Sequence, residues 1–421
     1  MSDAGHRAAA GGADRFWQRV GRVLGGTALA QAIPILGSLL IARLYAPAEF
    51  GLFAAWLGLA YLAAVVVTGR FEAALALEAD GEPRRAAARA TFVVVSGSAL
   101  LLLVAALLLW LAGGIAGVPV LLLLLFAPTA AALAAAQVWQ AWAAGDGRLS
   151  ALSSMRIAQA VGVTGAQITA GALWPRAEAL AAAQLAGLLL GLLQSWRALP
   201  PHRPPLPPRA ERHAAMRAFW RTRRRFPLLS LPADAINAAA AQLPLVIVGS
   251  RFGAEAAGCL ALTQRVLAAP VALLGAAVLD VFRRESALAF RERGECRAVF
   301  DRTLRVLAAG SVGVALLLAA TAEWLFVLAF GERWRLAGTM ALWLLPLFAL
   351  RFVASPLSYL FYVAGKQHVD LIWQALLLVL TLATLWLPAD LRGALVAYSA
   401  GYCAMYGVYL LLSFRYSRGL A

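Results

Sequence analysis

Two arginines stand deep inside apolar runs of this chain. Arg265 lies within LTQRVLAAPVALLG, and Arg351 lies in the middle of a later run. A guanidinium at such depth cannot readily reach the headgroups, so it faces other helices or a water-filled cavity. In a cavity, the chemistry it offers is capture of an anion by charge-assisted hydrogen bonds. Other polar residues border the runs: Arg70 and Glu72 close the second, Asp234 and Asn237 open the seventh, and Gln31 lies in the first. We take Arg265, Arg351, Arg70, Glu72, Asp234, Asn237 and Gln31 as candidate substrate-binding residues. Each has a plainer competing role. Arg70 and Glu72 also fit an interfacial ion pair of modest worth. Asp234 also fits a helix-start acid, and the deep arginines could pair structurally between helices.

Enzyme signatures are missing. The sequence holds no Walker A motif, no GxSxG and no HExxH. His6, His202, His213 and His368 are scattered, and Cys259, Cys296 and Cys403 form no CxxC pair. We therefore expect no catalytic residues, no metal site and no cofactor. ATP-driven transport by this chain alone is not expected either.

Those residues must be positioned by membrane helices. The chain is 62% hydrophobic and 14% charged, with a mean hydropathy of +0.76, whereas a soluble domain carries about 25% charge. Apolar runs recur at 23–44, 50–69, 90–112, 117–142, 153–173, 178–197, 227–249, 256–281, 304–330, 337–363, 368–387 and 391–414. Each is long enough to cross hydrocarbon as a helix and lacks the alternation of a barrel strand. The expected class is an all-α polytopic membrane protein of about 12 helices. Pro34, Pro128, Pro270 and Pro346 lie inside apolar runs, where proline would free a backbone carbonyl and permit a bend. No secretory signal is evident, so the first run should remain as a helix.

The arginines alternate along this layout. They cluster at the N-terminus, after runs two, four, six and eight and at the tail, and the gap after run ten carries Lys366. Apart from Arg265 and Arg351, only Arg43, Arg176, Arg251, Arg333, Arg335 and Arg392 fall on the opposite side. Positive residues stay in the cytoplasm, so both termini should be cytoplasmic, which needs an even number of helices. The net charge of +16 then reflects insertion next to anionic lipid rather than nucleic-acid binding.

The largest composition break separates six helices from six. Residues 1–22 read as a cytoplasmic tail, 23–197 as an N-lobe, 198–226 as a linker, 227–414 as a C-lobe and 415–421 as a second tail. Pro200, Pro201, Pro204, Pro205, Pro207 and Pro208 cannot be helical. Arg209 to Arg225 reads either as a surface helix on anionic lipid or as a plain basic linker. The halves also echo one another. Arg43, Glu49 and Gly51 match Arg251, Glu255 and Gly258 at the same place in each half, as in transporters built from internal repeats.

ARLYAPAEFGLFAAWLGLAYLAAVVVTGRFEAALALE resembles the first two helices and first cytoplasmic loop of bacterial polysaccharide-biosynthesis membrane proteins. FGAEAAGCLALTQRVLAAPVALLGAAVLDVFRRES resembles their seventh-to-eighth helix hairpin. These are the Wzx-type oligosaccharide flippases, in the superfamily that also holds the MATE exporters and the lipid II flippase. The resemblance implies two six-helix lobes in a MATE-like V around a central cavity. It implies an undecaprenyl-diphosphate-linked glycan as cargo, for O-antigen, capsule or exopolysaccharide assembly at the bacterial inner membrane. Membrane lipids and a glycan polymerase are the further partners it implies. In that setting Arg265 and Arg351 would hold the diphosphate, with Arg70 at the cytoplasmic entry. A lipid II flippase would carry a cation early in helix one, where this chain has Gln31, Pro34 and Ser38.

Two other functions compete. A cation-coupled multidrug exporter would need acids deep in the cavity, whereas the deepest charges read here are arginines. A membrane scaffold for glycan assembly, without transport, would use those arginines structurally.

Overall fold

In hydrocarbon a backbone must satisfy its own hydrogen bonds, and this sequence does so with helices throughout. The computed structural model describes residues 29–114, 117–197, 208–364 and 366–419. Among them no strand occurs. The first half comprises α1 (Leu29–Leu44), α2 (Pro47–Thr68), α3 (Glu82–Leu111), α4 (Val120–Gly145), α5 (Leu149–Leu173) and α6 (Ala177–Arg197). A shorter helix, α7 (Arg209–Thr222), follows. The second half comprises α8 (Leu231–Phe252), α9 (Ala254–Arg293), α10 (Arg297–Phe330), α11 (Arg335–Leu357), α12 (Gln367–Trp386) and α13 (Leu391–Ser417).

Every apolar run thus has its helix. Among the described residues nine helices are long and apolar enough to cross a membrane on length and composition alone. The other three are α1, α5 and α9, of which α9 has 40 residues and ends in arginines. Large apolar side chains on α3, α10 and α12, such as Leu101, Leu111, Leu316, Trp324, Ile372 and Val379, stay exposed. Lipid is the solvent that tolerates such faces, since water would drive them together.

Several boundaries differ from those read in the sequence. The charged stretch between the eighth and ninth runs is mostly helical: α9 continues to Arg293 and α10 begins at Arg297. Gly294, in the left-handed region, makes the break. The tenth run is not one helix over 337–363. It ends at Leu357, and a separate turn follows at Leu360–Val363. The basic stretch after the proline segment folds as helix α7, which buries Phe219 against Phe71 at a ring spacing of 5.6 Å. The tail 1–22 and residues 198–207 of the linker lie outside the described residues.

The chain divides into two compact units. One holds the described residues up to Ile41 with Leu59–Ala235, and the other holds Ala42–Gly58 with Ile236–Ala421. The assignment of residues 42–58 to the second unit has a local cause. A methyl group on Gly51 would lie 1.9 Å from the Ala254 carbonyl oxygen, and one on Gly258 would lie 1.8 Å from that of Pro47. Helices α2 and α9 cross there backbone to backbone, as small residues allow in membranes. The contact is reciprocal, with glycine in each helix facing the residue four positions before glycine in the other. Arg43 and Arg251, the other members of the sequence echo, both cap helix ends. Arg43 donates to the carbonyls of Leu328 and Ala329 at the end of α10, and Arg251 to those of Leu385, in the last turn of α12, and Pro388 just beyond it.

The first unit is stitched by an arginine that topology alone had assigned to the cytoplasmic set. Arg84 is buried and donates to the carbonyls of Leu75, Glu78 and Gly145 at 3.2, 2.8 and 2.7 Å. It joins the turn after α2 to the end of α4. Arg223, after α7, pairs with Glu78 at 2.7 Å and draws α7 onto the same turn.

Candidate functional site

Within the second unit, α8, α9, α11, α12 and α13 enclose a cavity of about 470 Å³. Helix α11 contributes Phe348, Arg351 and Ser355; α8 contributes Asn237, and α9 contributes Gln264. Arg351 is exposed, its guanidinium 5.9 Å from the Phe348 ring. Helix α13 lines the opposite side with Tyr398, Tyr402, Tyr406 and Tyr409. Spacings of four, four and three residues put all four rings on one helical face.

Helix α12 supplies the acid. Asp370 accepts from the Tyr409 hydroxyl at 2.8 Å through Oδ1 and from the Gln374 amide at 2.9 Å through Oδ2. Both carboxylate oxygens are therefore engaged in holding neighbours. Trp373, between them in sequence, donates from its indole to the Met405 carbonyl at 3.0 Å. Asp390 caps α13 by accepting from the Gly393 amide at 2.8 Å, which fixes where that helix starts. The result is a cavity with one cation, one engaged acid, several amides and an aromatic wall. It suits an anionic head carrying many hydroxyl groups.

A second cluster closes α2 in the first unit. Gly69 and Arg70 both have positive φ, 57° and 59°, and the chain turns sharply into Phe71–Ala74. For arginine that conformation costs about 1–2 kcal/mol. The guanidinium is held from both sides. Nη1 donates to Glu72 Oε1 at 2.9 Å, and Nε lies 2.6 Å from Asp234 Oδ2. Glu72 is only 6% exposed, and its other oxygen, Oε2, has no hydrogen-bond partner.

The seven sequence candidates therefore fall into separate places. Arg351 and Asn237 share the cavity of the second unit. Arg70, Glu72 and Asp234 form the cluster of the first. Arg265 lies outside that cavity's lining, half-buried, with its guanidinium 5.3 Å from the Phe50 ring. Its neighbour Gln264 lines the cavity instead. Gln31 is exposed on α1, in the first unit. Asp370, Trp373, Gln374 and the tyrosines did not emerge as candidates from the sequence. The signal was present in YSAGYCAMYGVY, where tyrosine recurs at helical spacing within an apolar run.

The model of a family described as "Polysaccharide biosynthesis protein" matches residues 40–338, more than half of the chain. The chain belongs to the polysaccharide biosynthesis protein family. Comparison with curated proteins returns no match. Among solved structures, the lipid II flippase MurJ in an inward closed conformation aligns with a TM-score of 0.70 at 12% identity, over 92% of this chain and 86% of that one. An inward-facing multidrug resistance MATE family transporter of the MOP superfamily aligns at 0.63 and 14%, over 91% and 93%. A MOP superfamily transporter from Pyrococcus furiosus, described as having a binding pocket of reverse polarity, aligns at 0.53 and 14%, over 94% of each chain. At such identities the likeness is one of fold. This polysaccharide biosynthesis protein is a multi-pass membrane protein with the fold of the MOP superfamily transporters. The solved structures that share this fold are themselves described as a flippase and as transporters.

Proposed function

We propose that this protein is a flippase for an undecaprenyl-diphosphate-linked oligosaccharide, serving O-antigen, capsule or exopolysaccharide assembly in the bacterial inner membrane. The observation that carries the reading is the cavity of the second unit, where Arg351 stands among amides and tyrosines in a chain of this family. A diphosphate and a sugar cannot cross hydrocarbon alone, and a polar cavity with a guanidinium replaces their hydration. Arg265 is the second proposed anionic contact, and Arg70 the first contact at the cytoplasmic face. Two six-helix lobes would alternate access while the polyprenyl tail stays in lipid. In this reading Asp370 orients Tyr409 and Gln374. It also gives the rival reading, a cation-coupled multidrug exporter, its best residue.

The test is complementation of a strain lacking the gene, with lipid-linked sugars followed on each leaflet. Deletion should leave lipid-linked saccharide in the cytoplasmic leaflet and deplete the surface glycan. Arg351→Ala should lower the flipping rate at least about tenfold, since a hydrogen bond to a charged group contributes about 1.5–3 kcal/mol. Arg351→Lys should fall between the two, keeping charge but not the planar fork. Arg265→Ala should abolish complementation with membrane expression intact. Normal pools and normal surface glycan in the deletion strain would reject the proposal. Loss of drug efflux in the Asp370→Asn protein would favour the exporter.

A further inference from the structure

The tyrosines of α13 and Trp373 of α12 make one continuous strip. Ring centroids lie 4.5 Å apart for Tyr398 and Tyr402, and 6.1 Å for Tyr402 and Tyr406. Trp373 follows at 5.5 Å from Tyr406 and 4.6 Å from Tyr409. From Tyr398 to Tyr409 the strip runs about 16 Å along the helix, at 1.5 Å per residue. All five rings line the cavity.

A wall needed only for packing would be served by leucine or phenylalanine, which bring no polar atom to bury. Here three of the five polar tips are tied down instead. Tyr402 Oη lies 2.9 Å from Thr381 Oγ1, Tyr409 donates to Asp370, and Trp373 donates to the Met405 carbonyl. Fixed tips leave the ring orientations set before any ligand arrives, which lowers the ordering cost of binding.

Fixed aromatic faces beside amides and a carboxylate suit carbohydrate. A pyranose has a face of polarised C–H bonds, which stacks on the electron-rich face of a ring, and an edge of hydroxyls, which pairs with amides. Aromatic walls also attract organic cations, but Arg351 lines the same cavity and its charge opposes a second cation there. We propose that the strip is the glycan subsite of the cargo. The sugars nearest the lipid stack along Tyr409, Trp373, Tyr406 and Tyr402, while Arg351 holds the diphosphate. This inference rests on the flippase reading and adds which side chains hold the sugar.

Two probes separate the inference from its premise: the lipid-linked saccharide purified from the deletion strain, and undecaprenyl diphosphate without sugar. Binding to the full-length protein in nanodiscs is read from tryptophan fluorescence. The native protein should prefer the glycosylated probe. Tyr406→Leu, at a half-buried position, should weaken that probe by about tenfold and leave the bare diphosphate unchanged. Tyr406→Phe, which keeps the ring, should retain most of the affinity, and Arg351→Gln should weaken both probes. Equal binding of the two probes by the native protein would overturn the glycan subsite alone. Equal loss of both in Tyr406→Leu, with Tyr406→Phe normal, would also overturn it, making the ring a packing element. Failure of the native protein to bind either probe would overturn the flippase reading itself.

Discussion

At the scale of single residues, the arginines do three different jobs that composition could not separate. Arg351 sits in a cavity, Arg70 is clasped by two carboxylates, and Arg84 is a buried knot among backbone carbonyls. In the sequence Arg84 looked like one more positive-inside residue beside Arg85 and Arg89, because its carbonyl partners come from segments far apart in the chain. Its planar fork is what lets one side chain reach Leu75, Glu78 and Gly145 together. We therefore expect Arg84→Lys to destabilise the protein although the charge is kept. A buried carbonyl left without a donor costs about 1–3 kcal/mol, which should show as a lowered unfolding midpoint in detergent. Arg85→Lys, at a more exposed ion pair with Glu82, should stay within about 1 kcal/mol of the native protein. Equal midpoints for both variants would show that the Arg84 hydrogen bonds add nothing. Arg70 differs in kind, since its left-handed backbone is strained and the strain is held by charge from Glu72 and Asp234. Backbone strain held in this way by neighbouring charges is a feature that clusters at functional sites.

At the scale of elements, the run lengths alone located every long helix, since hydrocarbon leaves an apolar segment no alternative. What the runs could not show was how helices approach one another. The echo of Arg43, Glu49 and Gly51 in Arg251, Glu255 and Gly258 was faint as sequence, yet its glycines form the α2–α9 crossing. The tyrosine face of α13 went unread for the opposite reason, because a periodic tyrosine in an apolar run looks like packing until a cavity is seen in front of it. The crossing makes a sharp prediction. Gly258→Ala puts a methyl group 1.8 Å from a backbone oxygen, which no rotamer change can relieve. We expect loss of folded protein, or destabilisation of more than about 3 kcal/mol, as overpacking at the upper end gives. Gly165→Ala, on α5 with nothing near the added methyl, should instead raise helix stability by up to about 1 kcal/mol. Thermal unfolding of the two purified variants checks both signs. A Gly258→Ala protein as stable as the native one would mean that the helices separate easily at this point.

At the scale of the whole molecule, the polar groups of the cavity are biased toward one end of the second unit. Helices α9, α11 and α13 end, and α10 and α12 begin, on that side, and the Cys296 amide ties the α9–α10 turn to the Ser417 carbonyl at 2.8 Å. Asp370 is one turn into α12, and Arg351 is nearer the end of α11 than its start. The same end carries Arg283, Arg291, Arg293, Arg297 and Arg415. If that basic end is cytoplasmic, as positive residues dictate, the cavity receives its anionic head where lipid-linked saccharides are made. Orientation is thus part of the functional argument. It can be tested with single cysteines in a protein whose Cys259, Cys296 and Cys403 are replaced by alanine. His213→Cys, exposed on α7, should resist a membrane-impermeant maleimide in spheroplasts and react in inside-out vesicles. Arg176→Cys, exposed between α5 and α6, should show the reverse pattern. The opposite result at both sites would place the basic end outside. A cargo would then enter the cavity from the wrong leaflet for export, and import of an anionic lipid would become the reading the same residues support.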